Sequence, residues 1–346
     1  MRITETDVDD DADFARFHRV YAAANSEGRP YAATWPLREL RAAYRSPSSA
    51  HQRRAYQGIV DGRVVAVGEL ELPLRDNTKL AELDCGVAPE HRRRGYGRAM
   101  ARHLRAEALG QGRRLAGCWV FGGRLDDAGA LTARSPGSHF CAAIGLSERN
   151  TDVHRVLDLP VAGDLLDRLA AEAAPHHACY ELIGWRDPCP AEHVAAYCRL
   201  KEAMVAEAPT GDLELQPERW DERRVREVEA ELVAMGRTRH VVAAVAADGS
   251  IVAHNEVLHA EYDPGRLWNW DTLVLPGHRG HRLGLALKVA NLQWLQPQHP
   301  DGRELHTLNA VQNAPMIAVN DQLGFRAVEV VGEWQGELAA MTAMTA

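Results

Sequence analysis

Asp84-Cys-Gly-Val-Ala-Pro-Glu-His-Arg-Arg-Arg-Gly-Tyr-Gly-Arg-Ala99 and Asp271-Thr-Leu-Val-Leu-Pro-Gly-His-Arg-Gly-His-Arg-Leu-Gly-Leu-Ala286 align without a gap at an offset of 187, with identities at 7 of 16 positions. The shared positions are Asp84/Asp271, Val87/Val274, Pro89/Pro276, His91/His278, Arg92/Arg279, Gly97/Gly284 and Ala99/Ala286. Average composition gives about one such identity by chance, so the stretch marks a duplicated unit. The surroundings repeat too. Residues 56–60, 64–72 and 80–87 read as strands, followed by a helix over 97–108 and a strand over 115–121. The second half gives strands over 241–246, 251–259 and 267–275, a helix reaching 295 and a strand over 305–311. Two helical segments precede the strands in each half, at 13–24 and 37–44 and again at 191–204 and 222–235. This order predicts an α/β fold with a mixed (α+β) sheet in each of two tandem domains, 1–174 and 175–346, divided at the Ala174-Pro175 break. The alanine- and methionine-rich end, 338–346, is expected to fray.

A chain of 346 residues with 46% apolar and 25% charged residues is long enough for two cores and too apolar for a disordered chain. The net charge of -8 lacks the basic footprint of a nucleic-acid binder, although Arg92 to Arg94 and Arg223 to Arg226 are locally basic. The acidic first ten residues lack a signal-like apolar core, and apolar runs such as 241–247 fall far short of the roughly 20 residues a bilayer requires. These features predict a cytoplasmic protein with no membrane partner. The six cysteines form no C-x-x-C pair, so no metal is expected and the thiols are read as reduced core residues. No pattern specifies an oligomeric state.

The repeated stretch carries chemistry because Val-x-Pro ends a strand and Arg-x-x-Gly-x-Gly opens a helix. The first amides of a helix lack intrahelical partners and carry the positive end of its dipole, so they can hold a phosphate. Gly95 and Gly97 permit close approach, and Arg92, Arg93, Arg94 and Arg98 add positive charge. In the second copy the corresponding residues are Arg279, Gly280, His281, Arg282 and Gly284. Neither the dinucleotide fingerprint nor the nucleoside-triphosphate loop is present.

Val87-Ala-Pro89 with Arg92-x-x-Gly95-x-Gly97 resembles the acyl-CoA pyrophosphate loop of the GNAT superfamily, and 278–284 is similar. Asn313-x-x-Met316-x-x-Val319-Asn320-x-x-Leu323-Gly324-Phe325 resembles the family's late-helix motif, for which Cys141-x-x-x-Gly145-Leu146 is a weaker counterpart. The tandem layout is similar to the mycothiol-synthase-like double GNAT proteins of actinobacteria. The resemblance implies a twisted sheet in each half, splayed between the fourth and fifth strands. It also implies acetyl-CoA, or another acyl-CoA, as co-substrate and the amine of a small molecule as acceptor. Asn313 joins the expected cofactor contacts, and an amide near Val87 or Val274 would hold the oxyanion.

The sequence departs from that family where Arg282 replaces the loop's first glycine, and where Asn320 and Cys141 stand in place of the late-helix tyrosine that acts as general acid. A thiol of pKa ~8.5 leaves tolerably without that acid, whereas an alkylammonium of pKa ~10 must still lose a proton. Strand carboxylates Asp271, Glu82 and Glu256 are the candidate bases, with Asp271 first and the C-terminal half favoured as catalytic. Asp84 lies on the same face as Glu82, and the positions matching this pair are Asn269 and Asp271. A non-catalytic acyl-CoA-binding or assembly protein made of degenerate domains is the alternative.

Overall fold

The structure is a computed structural model that describes residues 1–126 and 131–341. In chain order the first half contains β1 (Arg2–Glu5), α1 (Asp11–Ser26), α2 (Leu37–Arg45), β2 (His51–Val60), β3 (Arg63–Pro73), β4 (Leu80–Val87), α3 (Tyr96–Gly110), β5 (Leu115–Leu125), β6 (Leu131–Ala133), α4 (Pro136–Ala143) and β7 (Ser147–Asp158). After α5 (Gly163–Ala173) the same order returns as β8 (Glu181–Arg186), α6 (Ala191–Glu207), α7 (Glu222–Ala234), β9 (Arg237–Val245), β10 (Ile251–Ala260), β11 (Arg266–Val274), α8 (Leu283–Leu295), β12 (Glu304–Ala310), α9 (Ala314–Leu323) and β13 (Arg326–Glu337). Among the described residues no helix is long and apolar enough to cross a membrane.

The compact units do not divide at 174/175. The first unit comprises 1–151, 211–215 and 329–346, and the second comprises 152–210 and 216–328. Each half's last strand is responsible. Residues 152–158 of β7 pair antiparallel with β12, inside the second unit. Residues 330–337 of β13 pair antiparallel with β5, inside the first. Hydrophobic alternation predicts that a segment is a strand, but it does not name the edge that receives it. The expected fraying is corrected for 338–341, where Leu338 and Met341 are fully buried in the first unit's core; residues 342–346, the rest of that expectation, lie outside those described.

Within the first unit, α3 covers one face of the sheet. Met100, Leu104 and Ala108 pack there on Leu70, Leu72 and Leu83. The other face receives α1 and α2, with Phe14, Phe17 and Leu40 against Ala55 and Val67. The second unit repeats this arrangement with α8 on one face and α6 and α7 on the other. β4 pairs in parallel with β5 only from Leu80/Leu115 to Glu82/Gly117, and β11 with β12 only from Arg266/Glu304 to Trp268/His306. Beyond those points the strands part, which is the splay the resemblance implies.

Candidate functional site

The two loops that follow β4 and β11 have nearly the same backbone with glycine and arginine exchanged. Arg93 (φ 62°) and Gly95 (φ 84°) are left-handed in the first loop, and Gly280 (φ 87°) and Arg282 (φ 53°) in the second. Arg282 thus reproduces the conformation of Gly95, at the roughly 1–2 kcal/mol that a non-glycine residue meets there. Both helices begin without a side-chain cap, leaving their first amides for another acceptor. A Cβ at Gly97 would make only ordinary contacts of 3.5–3.7 Å with Val87 and Phe140, and one at Gly284 would touch only Met316 at 3.9 Å. Packing within the protein therefore does not account for these glycines.

The loop arginines Arg92, Arg94, Arg279 and Arg282 already have partners within the protein. Arg92 donates to the Val87 carbonyl (3.2 Å) and pairs with Glu27 (2.5 Å), while Arg279 donates to the Val274 carbonyl (3.2 Å) and pairs with Glu207 (2.8 Å). Both tie strand end to helix end instead of pointing free into the loop. Arg94 donates to the Glu90 carbonyl (3.3 Å), the His281 ring meets the His176 carbonyl (3.1 Å), and Arg282 lies 3.8 Å from Glu172. Arg93 and Arg98 are exposed. Asn313 caps α9 by accepting from the Met316 amide (3.3 Å), a structural role.

The parting strands are bridged in the second unit. Thr307 on β12 donates to the Asn269 carbonyl on β11 (3.2 Å), and Asn320 donates to Asn309 (2.6 Å). Lys288 joins Asn269 (3.1 Å) to Asn320 (2.9 Å). Burial lowers this lysine to about 7. In the first unit Cys118 and Cys141 meet there instead, sulfur to sulfur at 3.5 Å.

On the α1 and α2 face of the first unit, Arg53, Glu71, Glu82, Gly117 and Gln335 lie in register across five strands and project the same way. Gly117 is required there, because a Cβ would meet the Glu82 carboxylate at 2.8 Å. Glu69 and Asp84 form the next cross-strand pair, and Trp119 stands opposite Glu333. Like charges directly opposite are unfavourable, so this face holds carboxylates against its own stability. Burial raises Glu69 to about 8, aided by the Asp84 charge and opposed by the Tyr44 hydroxyl (2.7 Å) and Arg53. Asp84 keeps an exposed edge, yet the surrounding protein desolvates its carboxyl and raises it to about 6, against the pull of the Cys85 amide and Arg29. Burial, then Glu71 and Glu333, raise Glu82 to about 7.

The corresponding row of the second unit is Arg239, Leu258, Trp268, His306 and Val156. Trp268 replaces Glu82 because β11 bulges: Asn255 pairs with Thr272 but Val257 pairs with Asn269, leaving Trp270 and Asp271 against Glu256 alone. The extra residue turns Asn269 to the α8 face, where Lys288 binds it. This corrects the expected match between Glu82 and Asn269. The glycine gap is filled by His306, which bonds His154 (2.8 Å), and both rings lie against Trp268.

Asp271 and Glu256 do come together, but as an ion pair. The Lys201 ammonium bonds Asp271 and lies 3.3 Å from Glu256, whose other partners are the Tyr197 hydroxyl (2.5 Å), the His254 ring (3.6 Å) and Arg239 (3.8 Å). Burial pushes Glu256 up, but Lys201 and then Arg239 outweigh it and hold the carboxyl at about 2. Among the described residues His254, Glu256 and Asp271 form the one group with metal-ligand composition, their ligand atoms within 4.8 Å of one another. Lys201 already supplies the cationic charge there. Glu69 and Lys201 were missed in the sequence, although the offset of 187 leads directly from Glu256 to Glu69.

Residues 17–123 match the model of the Acetyltransferase (GNAT) family. Over 97% of this chain and 98% of the other, the fold is similar to that of a tandem GNAT protein from the clavulanic acid biosynthesis pathway, solved without AcCoA, at 28% identity and a TM-score of 0.78. A GCN5-related N-acetyltransferase from Sphaerobacter thermophilus is similar over 97% of this chain and 95% of its own, at 14% identity and a TM-score of 0.65, which bears on the fold alone. A comparison with curated proteins found no match. Residues 17–123 are thus similar to a GNAT acetyltransferase domain, and the whole chain has the fold of two tandem GNAT acyltransferase-like domains.

Proposed function

We propose that the protein is an acyl-CoA-dependent N-acyltransferase, with acetyl-CoA as the first acyl donor to test and the amine of a small molecule as acceptor. In this reading the first unit performs the chemistry and the second supports it. The carrying observation is the contrast between Glu69 with Asp84, whose carboxyls are raised toward neutrality, and Glu256 with Asp271, which are tied to Lys201. A base is most useful when its pKa lies near the working pH. Glu69 and Asp84 satisfy that, and a carboxylate held at about 2 does not.

The acyl-CoA pyrophosphate would rest on the first amides of α3 beside Gly95 and Gly97. The thioester arm would enter the gap between β4 and β5, with an amide near Val87 facing the oxyanion. An acceptor ammonium on the acidic face would pass a proton to Asp84 or Glu69, directly or through water. Its lone pair then attacks the thioester carbonyl, the tetrahedral intermediate collapses with cleavage of the C–S bond, and the second nitrogen proton passes to the departing thiolate, giving the amide and CoA thiol. The sequence-based preference for Asp271 and the C-terminal half is thereby reversed.

The test is steady-state release of CoA thiol from acetyl-CoA with a panel of primary amines. Glu69→Gln and Asp84→Asn are expected to lower kcat/KM by about 10²–10⁴ with acetyl-CoA affinity unchanged. Asp271→Asn should leave kcat close to wild type in the folded protein. The opposite pattern would move the chemistry to the second unit, and tight acetyl-CoA binding without thiol release would support a non-catalytic acyl-CoA-binding protein.

A further inference from the structure

Glu27 and Glu207 occupy equivalent places at the C-terminal ends of α1 and α6, since each carries its own loop arginine, and Trp35 and Trp220 each stand two residues before the next helix. Glu27 to Trp35 is eight steps and Glu207 to Trp220 is thirteen, so the α6–α7 connection is five residues longer than its counterpart. Five residues of that connection, Gly211–Leu215, belong to the first unit. They are firmly attached. The Asp212 amide donates to the Arg149 carbonyl (2.9 Å) and the Glu214 amide to Gln335 Oε1 (2.8 Å), while Gln335 Nε2 donates back to the Glu214 carbonyl (3.3 Å). Gly211, left-handed at φ 57°, approaches so closely that a Cβ would clash with the Arg149 carbonyl.

Gln335 is the fifth member of the row that contains Glu82, and it is buried. The segment therefore borders the acidic face on its β13 side, while the Glu214 side chain stays exposed and Leu213 and Leu215 are half-buried. On another side Arg29, from the connection after α1, is fixed to Glu329 (2.8 and 2.9 Å) and lies 4.7 Å above the Phe121 ring. A loop of first-half length would leave the β13 side open.

We propose that Gly211–Leu215 is a wall of the acceptor site in the first unit and selects, by shape, which amines reach Asp84. This rests on the reading that the first unit acylates an amine. It also gives the second half a function that its own filled row does not provide.

The wall is tested in the full chain by deleting Gly211–Leu215, which restores the first-half loop length, and independently by Gly211→Val, which forces the segment off Arg149. Carboxylates are labelled with a water-soluble carbodiimide and glycine ethyl ester and mapped by mass spectrometry. Labelling at Glu82 and Glu333 should accelerate severalfold in both variants, with Glu172 as an unchanged control. In parallel, kcat/KM for tyramine relative to n-pentylamine should change by about tenfold, with acetyl-CoA affinity constant. Unchanged labelling in the folded variants overturns the wall, and unchanged selectivity overturns its role in choosing the acceptor. Failure of the acylation reading looks different: the wild type binds amines without releasing CoA thiol, while the labelling contrast persists.

Discussion

The two halves place a Glu and an Asp at the same offset and give them opposite surroundings. In the first unit Glu69 and Asp84 face each other, with Glu82 beside them, its carboxylate lying over Gly117. In the second unit Glu256 and Asp271 surround the Lys201 ammonium, and Trp268 and His306 fill the adjoining row. Tyr21 stands in α1 six residues before Glu27, as Lys201 stands in α6 six before Glu207. The difference between an uncompensated and a cation-paired couple thus turns on one helix position and on a single bulged residue in β11. Burial alone makes a carboxylate more basic, whereas burial beside a cation turns it into a fixed anchor.

The largest effect expected from this contrast is on stability. Glu256→Gln removes the centre of a buried pair and leaves Lys201 and Arg239 under-compensated, so it should destabilise the protein by about 3–5 kcal/mol at pH 7. Glu256 is depressed in the fold, to about 2. Its contribution is therefore present above the unfolded value of about 4.3 and is lost as pH falls through the folded one. Urea denaturation of Glu256→Gln and Glu69→Gln at pH 7 decides the matter: equal losses in both variants would break the contrast. A smaller effect concerns the loops. By calorimetry, Gly97→Glu should weaken acetyl-CoA binding by at least about tenfold, or about 1.4 kcal/mol, while Gly284→Glu changes little. Loss confined to Gly284→Glu would assign the donor site to the second unit.

Much of the fold was legible in the sequence. The gapless repeat at 84–99 and 271–286 fixes strand, loop and helix, and it survives in the structure because the bulge falls at its first residue, Asp271, and leaves the pairing from Thr272 onward in the same register as the first half. Below Asp271 the same alignment fails by one residue, which sent Asn269 to the place of Glu82 although Trp268 occupies it. A bulge depends on which residues pair across strands, and hydrophobic alternation does not encode that. The exchange of β7 and β13 was hidden for the same reason. The candidate bases were read from their strands alone, so Lys201, on a helix 70 residues earlier, could not be weighed against Asp271. The roles of Arg92 and Arg279 were concealed likewise, because Glu27 and Glu207 look like ordinary helix-end residues until the ion pairs are seen.

The smallest effect, and the most discriminating in sign, concerns Glu82. Its folded value of about 7 lies above the unfolded value of about 4.3, so between these limits the folded chain keeps a proton that the unfolded chain releases. The stabilisation this gives is full below about 4.3 and disappears as pH rises through about 7. Above that, an ionised Glu82 faces Glu71 and Glu333, and its burial works against the fold. Glutamine keeps the shape and cannot ionise. Glu82→Gln should therefore stabilise the protein at pH 8 by about 1 kcal/mol, a figure discounted for the partial access of water to this face, and the gain should shrink toward zero at pH 5. Denaturation midpoints at the two pH values check the sign. A gain of equal size at both would mean that Glu82 is ionised throughout, and the first unit's acidic face would then resemble the anchored pair of the second.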